Sequence, residues 1–247
     1  MHRFYADESG VHDGVARLTD EDARHATRVL RLGAGDEIEL IAPPQRFLAR
    51  IERADEAGVL ARAQQPLPPT EARTRVTLYQ GLPKSDKMDW IVQKATELGA
   101  HGVRPVAMER SVVRLEGKDA ARRAERWQKI AREAVKQCAR MEMPRIAPCE
   151  KLTALREELC ALDLLIVPWE DAQDGSLRAC LSRVADEPCA RIGVLIGPEG
   201  GISAREAQWL REEAGAQLVT LGPRILRTET AGLCALSAIM AFRGELE

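Results

Sequence analysis

The chain has 247 residues, 45% of them hydrophobic and 30% charged, which suffices to bury a core in one large or two small domains and excludes disordered and fibrous classes. Lys and Arg number 36 against 38 Asp and Glu, a formal charge of −2, so the protein does not hold nucleic acid by bulk charge and any RNA contact must come from local arginine clusters. The six cysteines (138, 149, 160, 180, 189 and 234) never form Cys-x-x-Cys and the four histidines never form His-x-x-x-His; no metal site is expected, and the thiols read as reduced in a cytoplasmic protein.

The first residues, Met1-His2-Arg3-Phe4-Tyr5-Ala6-Asp7-Glu8, lack the apolar region of a signal peptide. Within residues 1–70, the short segments Glu37–Ile41, Phe47–Ile51 and Val59–Arg62 are separated by turn residues, as in a small β-barrel. One helix interrupts them. Thr19 with Asp22 caps it, Ala26, Val29 and Leu30 give its apolar face, and Gly33 ends it. Arg24, Arg28 and Arg31 stand at i, i+4 and i+7 on that helix, a face that can straddle phosphates. The bland alternative is a solvated charged face, because residues 1–70 hold nine Lys and Arg against twelve Asp and Glu. His25 reads as a packing or hydrogen-bonding residue.

Pro66-Leu67-Pro68-Pro69 forbids helix or central strand and places a domain boundary near residue 70, dividing the chain into 1–70 and 71–247. Beyond it, strand and helix signals alternate, which predicts a parallel sheet covered on both faces. The strand candidates are Val76–Gln80, Val103–Val106, Leu164–Val167, Ile192–Ile196 and Gln217–Leu221. Met88, Ile91, Val92, Ala95 and Leu98 recur at helical spacing and Gly99 supplies the stop. A long helix follows, about 119 to 140, with Trp127, Ile130, Ala131, Ala134, Val135 and Cys138 inward and Arg122, Arg126, Lys129, Arg132, Lys136 and Arg140 outward. The last helix, about 228 to 242, is apolar on most sides and too short to span a bilayer, so it needs cover either within the monomer or from a second subunit.

Two strand ends carry glycine loops, Gly197-Pro198-Glu199-Gly200-Gly201-Ile202-Ser203 and Leu221-Gly222-Pro223-Arg224-Ile225-Leu226-Arg227. Ligands of parallel sheets bind at the carboxyl ends of strands, so two such loops predict one pocket. Ser203 with Glu206 forms a capping box that starts a helix near Ala204. Neither the phosphate-loop nor the dinucleotide spacing is present, and Glu199 suits a cationic cofactor better than a polyphosphate.

Ile196-Gly197-Pro198-Glu199-Gly200-Gly201 followed by Leu221-Gly222-Pro223-Arg224-Ile225-Leu226-Arg227-Thr228-Glu229-Thr230-Ala231 resembles the signature of the RsmE family of ribosomal RNA methyltransferases, of the SPOUT class. Further matching segments stand in the same order: His2-Arg3-Phe4-Tyr5, His25-x-x-Arg28-Val29-Leu30-Arg31, Pro83-Lys84-x-x-Lys87-Met88, Lys94-Ala95-Thr96-Glu97-Leu98-Gly99, Gln137-Cys138-x-Arg140 and Pro168-Trp169-Glu170. The resemblance covers essentially the whole chain. It implies a PUA-like RNA-binding barrel before a SPOUT domain with a C-terminal trefoil knot, a homodimer, and S-adenosylmethionine-dependent methylation of uridine N3 in 16S ribosomal RNA of the small subunit. The knot comes from the resemblance alone, since ordinary folds are essentially unknotted.

Uracil N3 carries a proton, so this chemistry needs a donor to stabilise the anionic base and an acceptor for the proton. Arg227 fits the first role; Glu229, Glu170 and Glu199 are the candidates for the second. Main-chain atoms and apolar walls from Leu195 to Gly201 and from Leu221 to Leu226, with Thr230, would hold the cofactor; these include Ile196, Gly197, Pro198, Glu199, Gly200, Gly222 and Ile225. Arg3, Arg24, Arg28, Arg31, Lys84 and Arg140 are the candidate RNA contacts. Two rivals stay open: a SPOUT methyltransferase acting on another RNA position, and a non-catalytic RNA-binding factor.

Overall fold

A computed structural model describes residues 1–172 and 175–246. The chain divides into two units, Met1–Glu71 with Ala139–Glu142, and Ala72–Cys138 with the chain from Met143 onward.

In the first unit β1 (His2–His12), β2 (Val15–Leu18), β3 (Glu37–Ala42), β4 (Gln45–Asp55) and β5 (Gly58–Pro66) close into a barrel in the order β1-β2-β5-β4-β3. β1 runs parallel to β3, and every other pair is antiparallel. Inward residues such as Phe4, Leu18, Ile38, Leu40, Ile51 and Val59 fill it at 2% exposure or less. The sequence pattern misses β1 and β2, because Asp7-Glu8-Ser9-Gly10 interrupts apolar alternation where β1 shifts register between Ala6 and Val11. Pro66 ends β5 rather than opening the linker, paired with Phe47.

Helix α1 (Asp20–Arg24) begins as expected, with the Thr19 side chain accepting from the Asp22 amide at 3.2 Å. It then widens into a turn over His25–Val29 in which the Leu30 amide donates five residues back to His25, at 3.1 Å. That wider period takes one residue off the expected apolar face: Ala26 is buried and Leu30 packs against the barrel core, but Val29 is 66% exposed. The helix stops before Gly33, because Arg31 takes a left-handed φ of +56°. Arg31 therefore leaves the helical register that would align it with Arg24 and Arg28. His25 packs its ring on Phe4, with centroids 6.4 Å apart.

Ala139–Glu142, which the sequence assigns to the second domain, packs with the barrel unit. The Glu71 carboxylate accepts from the Arg140 guanidinium at 2.8 Å and from the amides of Met141 and Glu142 at 2.6 and 2.9 Å. Ala139 and Met141 are buried with Ile41.

The second unit is a seven-stranded parallel sheet. Its strands are β6 (Arg75–Gly81), β7 (Gly102–Ala107), β8 (Arg145–Ile146), β9 (Glu150–Lys151), β10 (Leu164–Pro168), β11 (Arg191–Ile196) and β12 (Gln217–Val219). The order is β12-β10-β11-β6-β7-β8, with β9 also on β7. The five longer strands stand where the apolar runs predict them; the two-residue β8 and β9 are too short to leave a pattern.

Helices α2 (Lys87–Glu97), α3 (Gly117–Cys138), α5 (Leu177–Ser182) and α7 (Thr228–Phe242) build one core with Val76 and Leu78. Helices α4 (Arg156–Cys160) and α6 (Ala204–Glu213) build the other, with Tyr79 and Leu195. Fully burying each large apolar side chain contributes about 1.5–3 kcal/mol, so a sheet covered twice dominates the stability of this unit. α3 ends two residues short of Arg140, since Ala139 turns left-handed with φ +65°. Among the described residues, no helix is long and apolar enough to cross a membrane.

Candidate active site

β10, β11 and β12 are adjacent and parallel, so their carboxyl ends open on one side of the sheet. The chains leaving them, Trp169-Glu170, Gly197–Ile202 and Thr220–Thr228, line a cavity of about 650 Å³. That lies within the range of about 300–1,000 Å³ typical of small-molecule sites.

The first loop is fixed by backbone geometry. The Gly201 amide donates to the Pro198 carbonyl at 2.9 Å, and Gly201 sits at φ +73°, a conformation that disfavours side chains. A Cβ on Gly197 would meet Ile202 at 2.8 Å, so a side chain there has no room. The loop ends in the expected capping box: Ser203 Oγ accepts from the Glu206 amide and the Glu206 carboxylate from the Ser203 amide, both at 3.2 Å. Trp169 ties two strand ends together, its amide donating to Val219 at 3.0 Å and its indole to the Ile202 carbonyl at 3.3 Å.

The second loop joins the first through Thr228, whose hydroxyl donates to the Gly197 carbonyl at 2.6 Å and accepts from Gln80 Nε2 at 2.8 Å. Both side chains are buried. Arg227 is the N-cap residue of α7; it lines the cavity, is exposed, and makes no side-chain capping bond.

Lys87 stands between the loops. Its ammonium is 3.1 Å from Glu199 Oε1 and 3.0 Å from Glu229 Oε2. The Glu229 contact is an ion pair without an aligned hydrogen bond, since Glu229 Oε2 is closed off from solvent and otherwise unpartnered. Burial pushes the Glu199 carboxyl up, but hydrogen bonds from its own amide, the Lys84 amide and Lys87 outweigh this and hold it below the usual range. Glu229 is held down in the same way, against burial, by its own amide and Lys87, with Arg227 adding to the effect. The paired carboxylates, Glu229 first and then Glu199, raise Lys87 in turn. Glu170 lies on the cavity wall, exposed and outside every ion pair among the described residues.

Of the residues expected from sequence, Glu170, Ile196, Gly197, Pro198, Glu199, Gly200, Gly201, Leu221, Gly222, Ile225, Leu226 and Arg227 come together on the cavity wall. Leu195 does not: its side chain is fully buried in the core with Tyr79. Thr230 is exposed on α7 away from the wall, and Glu229 stands behind Lys87. Lys87, Thr228 and Gln80 carry the site without having been assigned a role. The available signal for Gln80 is a glutamine closing the predicted strand Val76–Gln80, where a buried amide requires partners.

The candidate RNA contacts separate. Arg24, Arg28, Arg31 and Lys84 are exposed. Arg3 pairs with Glu39 at 3.1 Å. Arg140 is 5% exposed and held on Glu71, so it is a structural residue of the barrel unit and not a surface cation. The outer face of α3 is partly neutralised, because Arg126 pairs with Asp89 and Arg122 with Asp119.

Residues 70–240 match the family model of the RNA methyltransferase domain, and residues 18–62 that of the RNA methyltransferase PUA domain. The chain is 38% identical to the ribosomal RNA small subunit methyltransferase E of Bacillus subtilis over 228 residues, covering 90% of this chain and 88% of that one. A crystal structure of the Neisseria gonorrhoeae ribosomal RNA small subunit methyltransferase E bound to S-adenosyl methionine superposes with a TM-score of 0.75 at 34% identity, over 98% and 97% of the two chains. A Legionella pneumophila putative methyltransferase in complex with the same cofactor gives 0.76 at 28% identity, over 97% and 96%.

Proposed function

The chain belongs to the ribosomal RNA small subunit methyltransferase E family, and from that membership we propose that it methylates N3 of one uridine in 16S ribosomal RNA of the small subunit. S-adenosylmethionine supplies the methyl group when bound. The observation that carries this reading is the single cavity that the two glycine loops form at three adjacent strand ends.

The residues fit such a ligand. Main-chain groups of Gly197–Gly201 and Leu221–Leu226 face the cavity beside the apolar Trp169 and Ile225, and carboxylates on its wall suit a cationic sulfonium. At the mouth Arg227 is placed to stabilise charge developing on uracil O2 or O4 as the N3 proton leaves. Glu199 and Glu229 are already committed to Lys87, which leaves Glu170 as the acid best placed to take that proton. The base lies in folded RNA, so it enters the cavity by extrusion from its stack.

Arg24 and Arg28 on the barrel's helix are the cations we assign to RNA phosphates, being exposed and without ion pairs among the described residues. The reading includes a cytoplasmic homodimer. The outward side of α7 supports the pairing: Cys234 is exposed and Phe242 is 39% exposed on a helix with almost no polar face. The knotted path implied by the resemblance is part of the same reading.

The test is methyl transfer from labelled S-adenosylmethionine to purified small subunits lacking this modification, followed by nucleoside mass analysis. N3-methyluridine at one position supports the reading; label in another nucleoside or in ribose moves the chain to another RNA target. Binding of the subunits without transfer makes it a non-catalytic factor.

A further inference from the structure

We infer that Lys87 is a positioning residue: one ammonium, shared between Glu199 of the first glycine loop and Glu229 just after the second, holds the two walls of the cofactor cavity in register. The inference rests on the cofactor reading above. Lys87 begins α2, and the first turn of that helix is anchored by Met88 and Ile91, which are 2% and 1% exposed, so the cation projects from a fixed base. One partner is equally fixed, because the Glu199 carboxylate also accepts from the Lys84 amide at 3.1 Å. The other partner, Glu229, has Lys87 as the only cation in direct contact among the described residues, at its buried Oε2, with its own amide and the more distant charge of Arg227 as the remaining support.

Removing the ammonium leaves two partly desolvated carboxylates facing each other with no cation between them, an arrangement that favours separation of the loops. The bridge joins the same two loops as the Thr228–Gly197 hydrogen bond, but from the cavity side. It also keeps Glu199 and Glu229 ionised and occupied.

The test compares full-length wild type, K87M and K87R by calorimetry with S-adenosylmethionine and with S-adenosylhomocysteine, whose neutral sulfur removes any direct ammonium–sulfonium repulsion. K87M is expected to lose about 10-fold or more in affinity for both ligands, and K87R to return within about 3-fold of wild type. In the ligand-free protein, amide exchange over 197–203 and 224–230 should quicken in K87M while the barrel strands stay unchanged. A merely stabilising lysine would instead lower the melting temperature, with affinity retained well below it, and that result overturns the inference. So does K87M binding within about 2-fold of wild type, or more tightly. If K87M does not fold, E199Q, which cuts one arm of the bridge, must show the same loss. A wild type that binds neither ligand sinks the cofactor reading instead, and the exchange comparison then decides the bridge alone.

Discussion

Thr228 and Gly197 are 31 residues apart in sequence, yet the Thr228 hydroxyl donates to the Gly197 carbonyl at 2.6 Å while accepting from Gln80 at 2.8 Å. The start of α7, the first glycine loop and the end of β6 therefore share one buried polar chain. Thr228→Val keeps the shape but leaves the Gln80 amide and the Gly197 carbonyl each short of a partner. It should cost about 1–3 kcal/mol. For a chain of this size that lowers the melting temperature by about 2–4 °C per kcal/mol, and Thr228→Ser should recover most of it. Calorimetric melting of the two variants checks both statements.

Arg227→Ala should lower the single-turnover methyl-transfer rate by on the order of 100-fold, the scale for loss of one charge-stabilising donor, with cofactor affinity barely changed. Its exposed guanidinium makes no side-chain capping bond, so the loop does not depend on it for order. Arg227→Lys should rescue only partly, because an ammonium cannot reproduce the planar fork. Normal transfer by the alanine variant at saturating cofactor excludes the role.

The bridge at Lys87 also sets a pH window. Glu199 and Glu229 are held below the ordinary carboxylate value of 4.5, so their contribution to stability is complete above that value and is lost as pH falls beneath it. Lys87 is raised above 10.5, so its contribution is complete below that value and lost only at higher pH. Wild type should thus lose more melting temperature than E199Q on acidification from about pH 5 to about pH 3. Parallel acid limbs for the two proteins would show that the bridge adds nothing.

Arg28 and Arg140 carry the same charge in different surroundings. Arg28→Gln should weaken binding to small subunits and reduce the salt slope by about one, with melting unchanged. Arg140→Gln should instead destabilise the fold by about 3 kcal/mol, because it leaves the Glu71 carboxylate, 13% exposed, without its cation. Filter binding across a salt series, with urea unfolding on the same samples, separates the two.

Thiol alkylation reads out the homodimer. Cys160, Cys189 and Cys234 are all exposed on the single chain, whereas burial pushes Cys149 up to about 11 and should keep it slow. If α7 faces α7 across the dimer, Cys160 and Cys189 react quickly and Cys234 slowly, with Cys234 accelerating on dilution. Equal rates for all three at every concentration would place the interface elsewhere.

Features with a local cause were legible in the chain. Apolar runs bounded by turn residues placed β6, β7, β10, β11 and β12 to within a few residues, and the Ser203–Glu206 capping box fixed the start of α6. Glycines that only a tight backbone requires marked both loops of the cavity. Motif order along the chain carried the family.

Encounters between residues far apart in the chain left no such mark. Lys87 meets Glu199 and Glu229 only because a parallel sheet brings the start of α2 beside two later strand ends, and no spacing in the chain encodes that encounter. Arg140 read as a surface cation at helical spacing until Ala139 turned left-handed and swung it onto Glu71. Arg31 left its expected face for the same kind of reason, a widened turn that shifts the period of every residue after it. Periodicity extrapolates a regular backbone, so one irregular turn or one distant partner is enough to redirect a side chain.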